Sequence, residues 1–330
     1  MPAVTDPSLL PADVVHAVPE GRVVYGMQLP IQSQSTLYVA EWETKAGPEE
    51  LARIARAADH AGFFYIGVCD HTAIPRRLAD AMSTTWYDTT ATLGWLAGLT
   101  HRVHLLSHVL ILAQRHPLRA AKELSTLDLL SGGRLIVGVG AGHVPEEYEL
   151  LTGGFDERGR HTDEAVSALA RCFTNEFPEL PGPRFPARDL GIAPRPVRRP
   201  RPPIWIGGSS PAAIRRTAAF GDGWLPQGTR RRDLPGQIAR LRELRAQLRG
   251  GEPIDIGTIV EPIHLTSGGS GWDLPGWVLS GGAEHVTASL RELVEMGVNH
   301  LQVRFMARSA EEYCEQTARF GVEVGPLLNR

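Results

Sequence analysis

The chain has 330 residues, 42% of them hydrophobic, and a formal net charge of −3. That size and apolar content suit one large α/β domain, and the slightly acidic balance argues against a nucleic-acid or polyanion binder. Three cysteines, Cys69, Cys172 and Cys314, lie far apart, which argues against a disulfide framework or a CxxC metal site and fits a reducing, cytoplasmic setting.

No apolar run reaches membrane-spanning length, so no membrane partner is expected. Residues 1–20 lack a basic n-region and carry Asp6 and Asp13. They predict a flexible extension rather than a signal peptide, with 21–330 as a single domain.

From there, short apolar runs alternate with helical patterns. Residues 23–29 predict a first strand. The stretch 48–61 predicts a helix, with Pro48 at its first position and Leu51, Ile54, Ala55 and Ala58 on one face. Residues 63–69 predict the second strand, and 88–99 a helix that Asp88 can cap. Residues 103–112 predict a third strand. Pro117 then opens a helix that stops at Gly132-Gly133. A fourth strand over 134–140 precedes a helix at 161–176. Strand five (204–206) leads to a helix from Pro211, and strand six (223–225) to a helix at 234–248. A seventh strand lies within 254–265, followed by a helix at 284–296. An eighth strand covers 298–305, and a last helix 310–320.

Strands apolar on both faces, alternating with helices, imply a parallel sheet covered by helices. Eight such units favour a closed (β/α)8 TIM barrel over an open doubly wound sheet. Two Pro/Gly-rich segments, 178–203 and 266–282, read as insertions outside the core. The arginine run at 195–201 reads as a solvated loop.

A barrel places its chemistry at the C-terminal ends of its strands. There the chain offers Asp70-His71, Ser107-His108-Val109, Gly140-Ala141-Gly142-His143 and Gly207-Gly208-Ser209-Ser210. The last group has glycines that admit a ligand to the backbone, two hydroxyls and a helix N-terminus. It reads either as an anion site for a phosphate or as a tight turn with a serine cap. "GVGAGH" (138–143) lacks the dinucleotide spacing. It reads either as a strand end against which a flat ring can lie, at Ala141 and Gly142, or as a glycine-rich bend. His101, His104 and His108 have no carboxylates at ligand spacing, so no metal is expected. Trp86, Trp224 and Trp272 could wall a pocket for a hydrophobic organic substrate, or could pack the core.

The run 102–153, with "DHTAIP" (70–75), "WYDTTATL" (86–93), "PPIWIGGSS" (202–210), "GDGWLP" (221–226) and "GGAEHVTASLRELVEMGVNHLQVRF" (281–305), resembles the bacterial luciferase-like family. It is most similar to members that use the deazaflavin coenzyme F420. The resemblance covers about 21–306. It implies a flavin or deazaflavin ring at the barrel mouth, with the phosphate tail on Gly207, Gly208, Ser209 and Ser210. It implies a non-prolyl cis peptide at His108–Val109, whose bulge, entered through Ser107, supports the ring. Asp70 and His71 would lie beside the cofactor, with Asp70 shaping the pocket or orienting the imidazole and His71 moving the proton. Sugar-phosphate-oxidising members have a glutamate where this chain has His143, which puts that substrate class in doubt and leaves His143 as a second proton carrier or polar contact.

The expected function is therefore an F420-dependent oxidoreductase acting on a small organic molecule. The alternatives are an FMN-dependent monooxygenase, which would need a separate reductase, and a non-catalytic flavin-binding barrel. The resemblance also implies a homodimer.

Overall fold

The computed structural model describes residues 10–11, 13–36, 39–266, 268 and 272–329. Eight parallel strands close on themselves: β1 (Val24–Gln28), β2 (Tyr65–Val68), β3 (His104–Ser107), β4 (Leu135–Gly140), β5 (Ile204–Gly207), β6 (Gly223–Leu225), β7 (Asp255–Ile259) and β8 (His300–Val303). Each pairs with the next, and β8 returns to β1 through Val24↔His300, so the ring has no edge. β2, β4 and β8 are buried along their whole length, and β2 and β4 accordingly read as continuous apolar runs.

The helices begin where their caps fall. Pro48 starts α1 (Pro48–His60), and Asp88 caps α2 (Thr89–Ala97) by accepting from Ala91 N at 2.7 Å. Pro117 starts α3 (Pro117–Leu130). α4 (Pro145–Leu151) and α5 (Arg158–Thr174) follow β4, and α4 has no counterpart in the sequence expectation. α6 (Pro211–Phe220), α7 (Leu234–Arg249), α8 (Ala283–Glu295) and α9 (Ala310–Arg319) complete the outer ring. Among the described residues no helix is long and apolar enough to cross a membrane.

Several expectations change. The third strand is not continuous. It breaks after Ser107 at a cis His108–Val109 bond and resumes as Leu110–Ile111, which pairs with β4. The stretch 254–265 holds two strands: β7, and Ile263–Leu265, which pairs with Leu279–Gly281 from the supposed insertion. Residues 267 and 269–271 of that insertion lie outside the described residues. The 178–203 insertion is not outside the core, because Leu180, Phe185 and Ile192 are buried in it.

The N-terminal segment also departs from the flexible reading over its described part. Val15, Ala17 and Val18 are buried beneath the barrel. Asp222 accepts from Val15 N at 2.9 Å, and Asp255 from Ala17 N at 3.0 Å and Val18 N at 3.3 Å. Residues 1–9 and 12 lie outside the described residues. Arg201, expected in a solvated run, is 1% exposed and pairs with Asp222 at 2.5 and 3.1 Å. A buried guanidinium is tolerable only with such a partner, and the partner is 21 residues away in sequence.

Candidate active site

Residues alternate in and out along a barrel strand. Trp205 stacks on His300 at 4.1 Å and meets Tyr65 edge-on at 5.6 Å, filling the barrel interior. Gln302 lies on the same face of β8 as His300, one layer nearer the mouth. His108 sits there too, and burial pulls its imidazole down to about 4, although a hydrogen bond with Gln302 opposes that. It is therefore neutral near pH 7 and part of the floor. Val109 packs into the space left by Gly140 and Gly207, where any Cβ would collide with its methyls. Those glycines exist to seat the bulge. Gly138 does the same for the Ser107 carbonyl. The glycines of "GVGAGH" thus make room for the neighbouring strand.

Ser107 turns its hydroxyl to β4, donating to Gly138 O at 2.9 Å and accepting from Gly138 N at 3.0 Å. Ala141 O accepts from the Tyr148 hydroxyl at 2.6 Å. Gly142 has φ +66° and lies against Ile111 and Tyr148.

Asp70 and His71 are adjacent in sequence but separate in role. Asp70 is buried and takes a bidentate pair from Arg115 at 2.7 and 2.9 Å. It also accepts from Ile111 N at 2.8 Å, just past the cis bond, and from the Thr89 hydroxyl at 3.3 Å. Its bonds to Arg115 and Ile111 tie down the segment just past the cis bond, and no bond to His71 is among them.

The orienting group is Glu147, which the sequence reading missed. Its Oε2 lies 2.9 Å from His71 Nδ1, while its Oε1 accepts from Thr72 N at 2.6 Å and Ala73 N at 3.2 Å. Burial works to raise the Glu147 carboxyl, but the His71 contact and the two amides outweigh it and hold it below the ordinary range. Its neighbour Glu146 pairs with Arg77 at 2.6 and 2.9 Å, a second tie between the same two loops. The available signal was that Glu147 stands four residues after His143, at the start of a helix directly behind a strand end.

His71 lies between Trp86, with ring centroids 4.5 Å apart, and His143, 5.5 Å apart and nearly perpendicular. Burial, and then the charge of His71, push the His143 imidazole down, with Glu147 opposing. The structure thus brings His71 and Trp86 of the β2–α2 connection together with His143, which follows β4. It leaves Trp224 in the core, fully buried, with its indole donating to Gly208 O at 2.8 Å. Trp272 stands apart, edge-on to His264 at 5.4 Å.

At the end of β5, Gly208 adopts φ +103°, open to glycine at little cost, and its amide donates to Leu225 O at 3.0 Å. The Ser209 hydroxyl is occupied by Gln227 and Thr229, at 2.8 and 2.6 Å. The Ser210 hydroxyl caps α6 by accepting from Ala213 N at 3.1 Å. The serine side chains are thus spent within the protein. Among the described residues, however, nothing accepts from the amides of Ser209, Ser210 and Ala212. Three open amides at the positive end of a ten-residue helix fit a phosphate. Above the floor, Ile259 at the end of β7 is 41% exposed and offers an apolar face at the mouth.

A closed parallel barrel with a carboxylate-held imidazole at its C-terminal rim is an enzyme's architecture. Residues 24–265 match the family model described as luciferase-like monooxygenase, and the chain belongs to that family. It is 29% identical over 183 residues to the FMNH(2)-dependent dimethylsulfone monooxygenase of Pseudomonas putida, covering 50% of each chain. It is 28% identical over 205 residues to the F420-dependent glucose-6-phosphate dehydrogenase of Intrasporangium calvum, covering 58% of this chain and 59% of that one. Monooxygenase RslO1 from Streptomyces bottropensis shares the fold, with a TM-score of 0.76 at 21% identity over 92% of this chain and 99% of that one.

Proposed function

We propose that this protein is an F420-dependent oxidoreductase in which His71 exchanges the proton that accompanies hydride transfer to or from a small organic substrate. The observation that carries the reading is the His71 imidazole, held through Nδ1 by Glu147 and flanked by Trp86 and His143. An imidazole can act as general acid or base, and a carboxylate behind it leaves the far nitrogen for the reaction.

When bound, the deazaflavin supplies the hydride chemistry. The chain's own residues do the rest. The amides of Ser209, Ser210 and Ala212 would hold the phosphate. Val109, seated between Gly140 and Gly207, would support the ring. Trp86 limits water around His71, and His143 offers a second polar contact.

The FMN-dependent monooxygenase reading draws on the Pseudomonas putida relative and would need a separate reductase. Fluorescence titration with oxidised and reduced F420 and FMN separates the two. Micromolar binding of F420 but not FMN supports the proposal. Selective FMN binding replaces it with the alternative, and binding of neither removes both. With cofactor and substrate in hand, His71→Ala should keep cofactor affinity within a few-fold and cut turnover by roughly 10²- to 10⁴-fold. Unchanged turnover removes His71 from the mechanism.

A further inference from the structure

We propose that Glu147 is a positioning residue that fixes the tautomer of His71 and so commits it to exchange its proton through Nε2. The inference rests on the reading of His71 as the proton carrier, but its central test does not require turnover.

The argument is one of donors and acceptors. Glu147 is ionised at neutral pH, because its hydrogen bonds hold the carboxyl low against the pull of burial. An ionised carboxylate has no hydrogen to give. Oε1 receives the amides of Thr72 and Ala73, and Oε2 faces His71 Nδ1 at 2.9 Å. Nδ1 must therefore carry the hydrogen and donate it. In the neutral ring that leaves Nε2 as a bare acceptor, and in the cationic ring it leaves the Nε2 proton as the one free to depart. The Glu147 side chain is 3% exposed and that of His71 10%, so water competes little for the bond.

The contact also joins two loops. Glu147 sits in α4 behind β4, whereas His71, Thr72 and Ala73 follow β2, about 75 residues earlier. One carboxylate thereby sets the position of the loop, the tilt of the ring and the identity of the reactive nitrogen. Trp86 and His143 flank the ring, and the hydrogen bond at Nδ1 is the one to Glu147.

Glu147→Gln separates these duties. The loop amides need an acceptor, so the new side chain must keep its oxygen toward Thr72 and Ala73. Its NH2 group then faces Nδ1 as a donor. The neutral imidazole has to accept there, and its hydrogen moves to Nε2. The loop stays anchored while the tautomer inverts.

The measurement is a long-range 1H–15N correlation spectrum of the full chain labelled with 15N-histidine, recorded above the histidine titration range. His71 is assigned from the signals lost in His71→Asn. The wild type should show a protonated, pyrrole-like Nδ1, and Glu147→Gln a pyridine-like Nδ1. The same tautomer in both proteins, or an Nε2–H tautomer in the wild type, overturns the proposal. If Glu147→Gln fails to fold, the wild-type tautomer decides alone. In turnover, Glu147→Gln should lose roughly 10²- to 10⁴-fold in kcat with cofactor affinity within a few-fold of wild type. Should His71→Ala retain full turnover, the proton-carrier reading fails while the tautomer assignment is judged separately by the spectra.

Discussion

The two ends of the barrel use the same kinds of buried charge to opposite effect. At the bottom, Asp222 and Asp255 are saturated: amides of the N-terminal segment, Arg201, Ile204 N and the Trp205 indole take up their oxygens. At the mouth, Asp70 is equally saturated by Arg115, Ile111 N and Thr89, and it too holds structure. The Glu147–His71 pair differs in that the second ring nitrogen of His71 has no partner among the described residues, and the amides at 209, 210 and 212 likewise have no acceptor there. A buried polar group that is fully partnered stabilises and specifies the fold, whereas one left open at a barrel's C-terminal rim is placed where barrels carry their chemistry. Burial of charge does not separate the two ends, and neither does complete pairing, since Tyr65 Oη and His300 Nδ1 in the interior also lack a partner; what marks the Glu147–His71 pair is that its open nitrogen stands at the C-terminal rim.

That contrast can be broken. The largest effect should come from Asp222→Ala, which strands Arg201 in the interior along with the amides of Val15 and Ile204. Losing one partner of a buried pair costs about 3 to 5 kcal/mol. Urea unfolding should report a loss of that order, with cofactor affinity of the folded protein unchanged. A loss under about 1 kcal/mol would mean that the bottom network is not a stabilising one.

A second effect is set by pH. Burial lowers His108 and His300 to about 4 in the folded protein, whereas an unfolded histidine titrates near 6.5. Between those values the unfolded chain binds more protons than the folded one. Stability is therefore full above about pH 6.5 and falls as pH drops toward 4, by up to about 1.4 kcal/mol per pH unit for each histidine. Denaturation curves at about pH 7.5 and about pH 5 test this, and equal midpoints would contradict it. His108 thus belongs with the interior although it lies at the mouth end.

The smallest effect sharpens the boundary between structure and site. Ser210→Ala removes the cap of α6 and should cost about 1 kcal/mol. Since the main-chain amides are proposed to meet the phosphate, affinity for F420 should change by no more than a few-fold. A hundredfold loss of affinity would return the Ser210 hydroxyl to the binding site.

The sequence alone carried the barrel, because its signals are local. Buried strands read as apolar runs, helices start at Pro48, Asp88, Pro117 and Pro211, and strand ends are marked by glycine or by polar pairs such as Asp70-His71. It also brought the rim residues His71 and His143 into view, since barrel topology puts strand ends together. It could not assign their partners. Glu147 meets His71 across 76 residues, Arg115 meets Asp70 across 45, and Asp222 meets Val15 across 207. Nor could it tell that Gly140 and Gly207 exist to seat Val109, or that the described N-terminal residues close the barrel floor. Periodicity records how each segment meets the core. Which hydrogen bonds a buried group completes depends on chain that only the closed fold brings near, and here that is what sets Glu147 against His71 Nδ1.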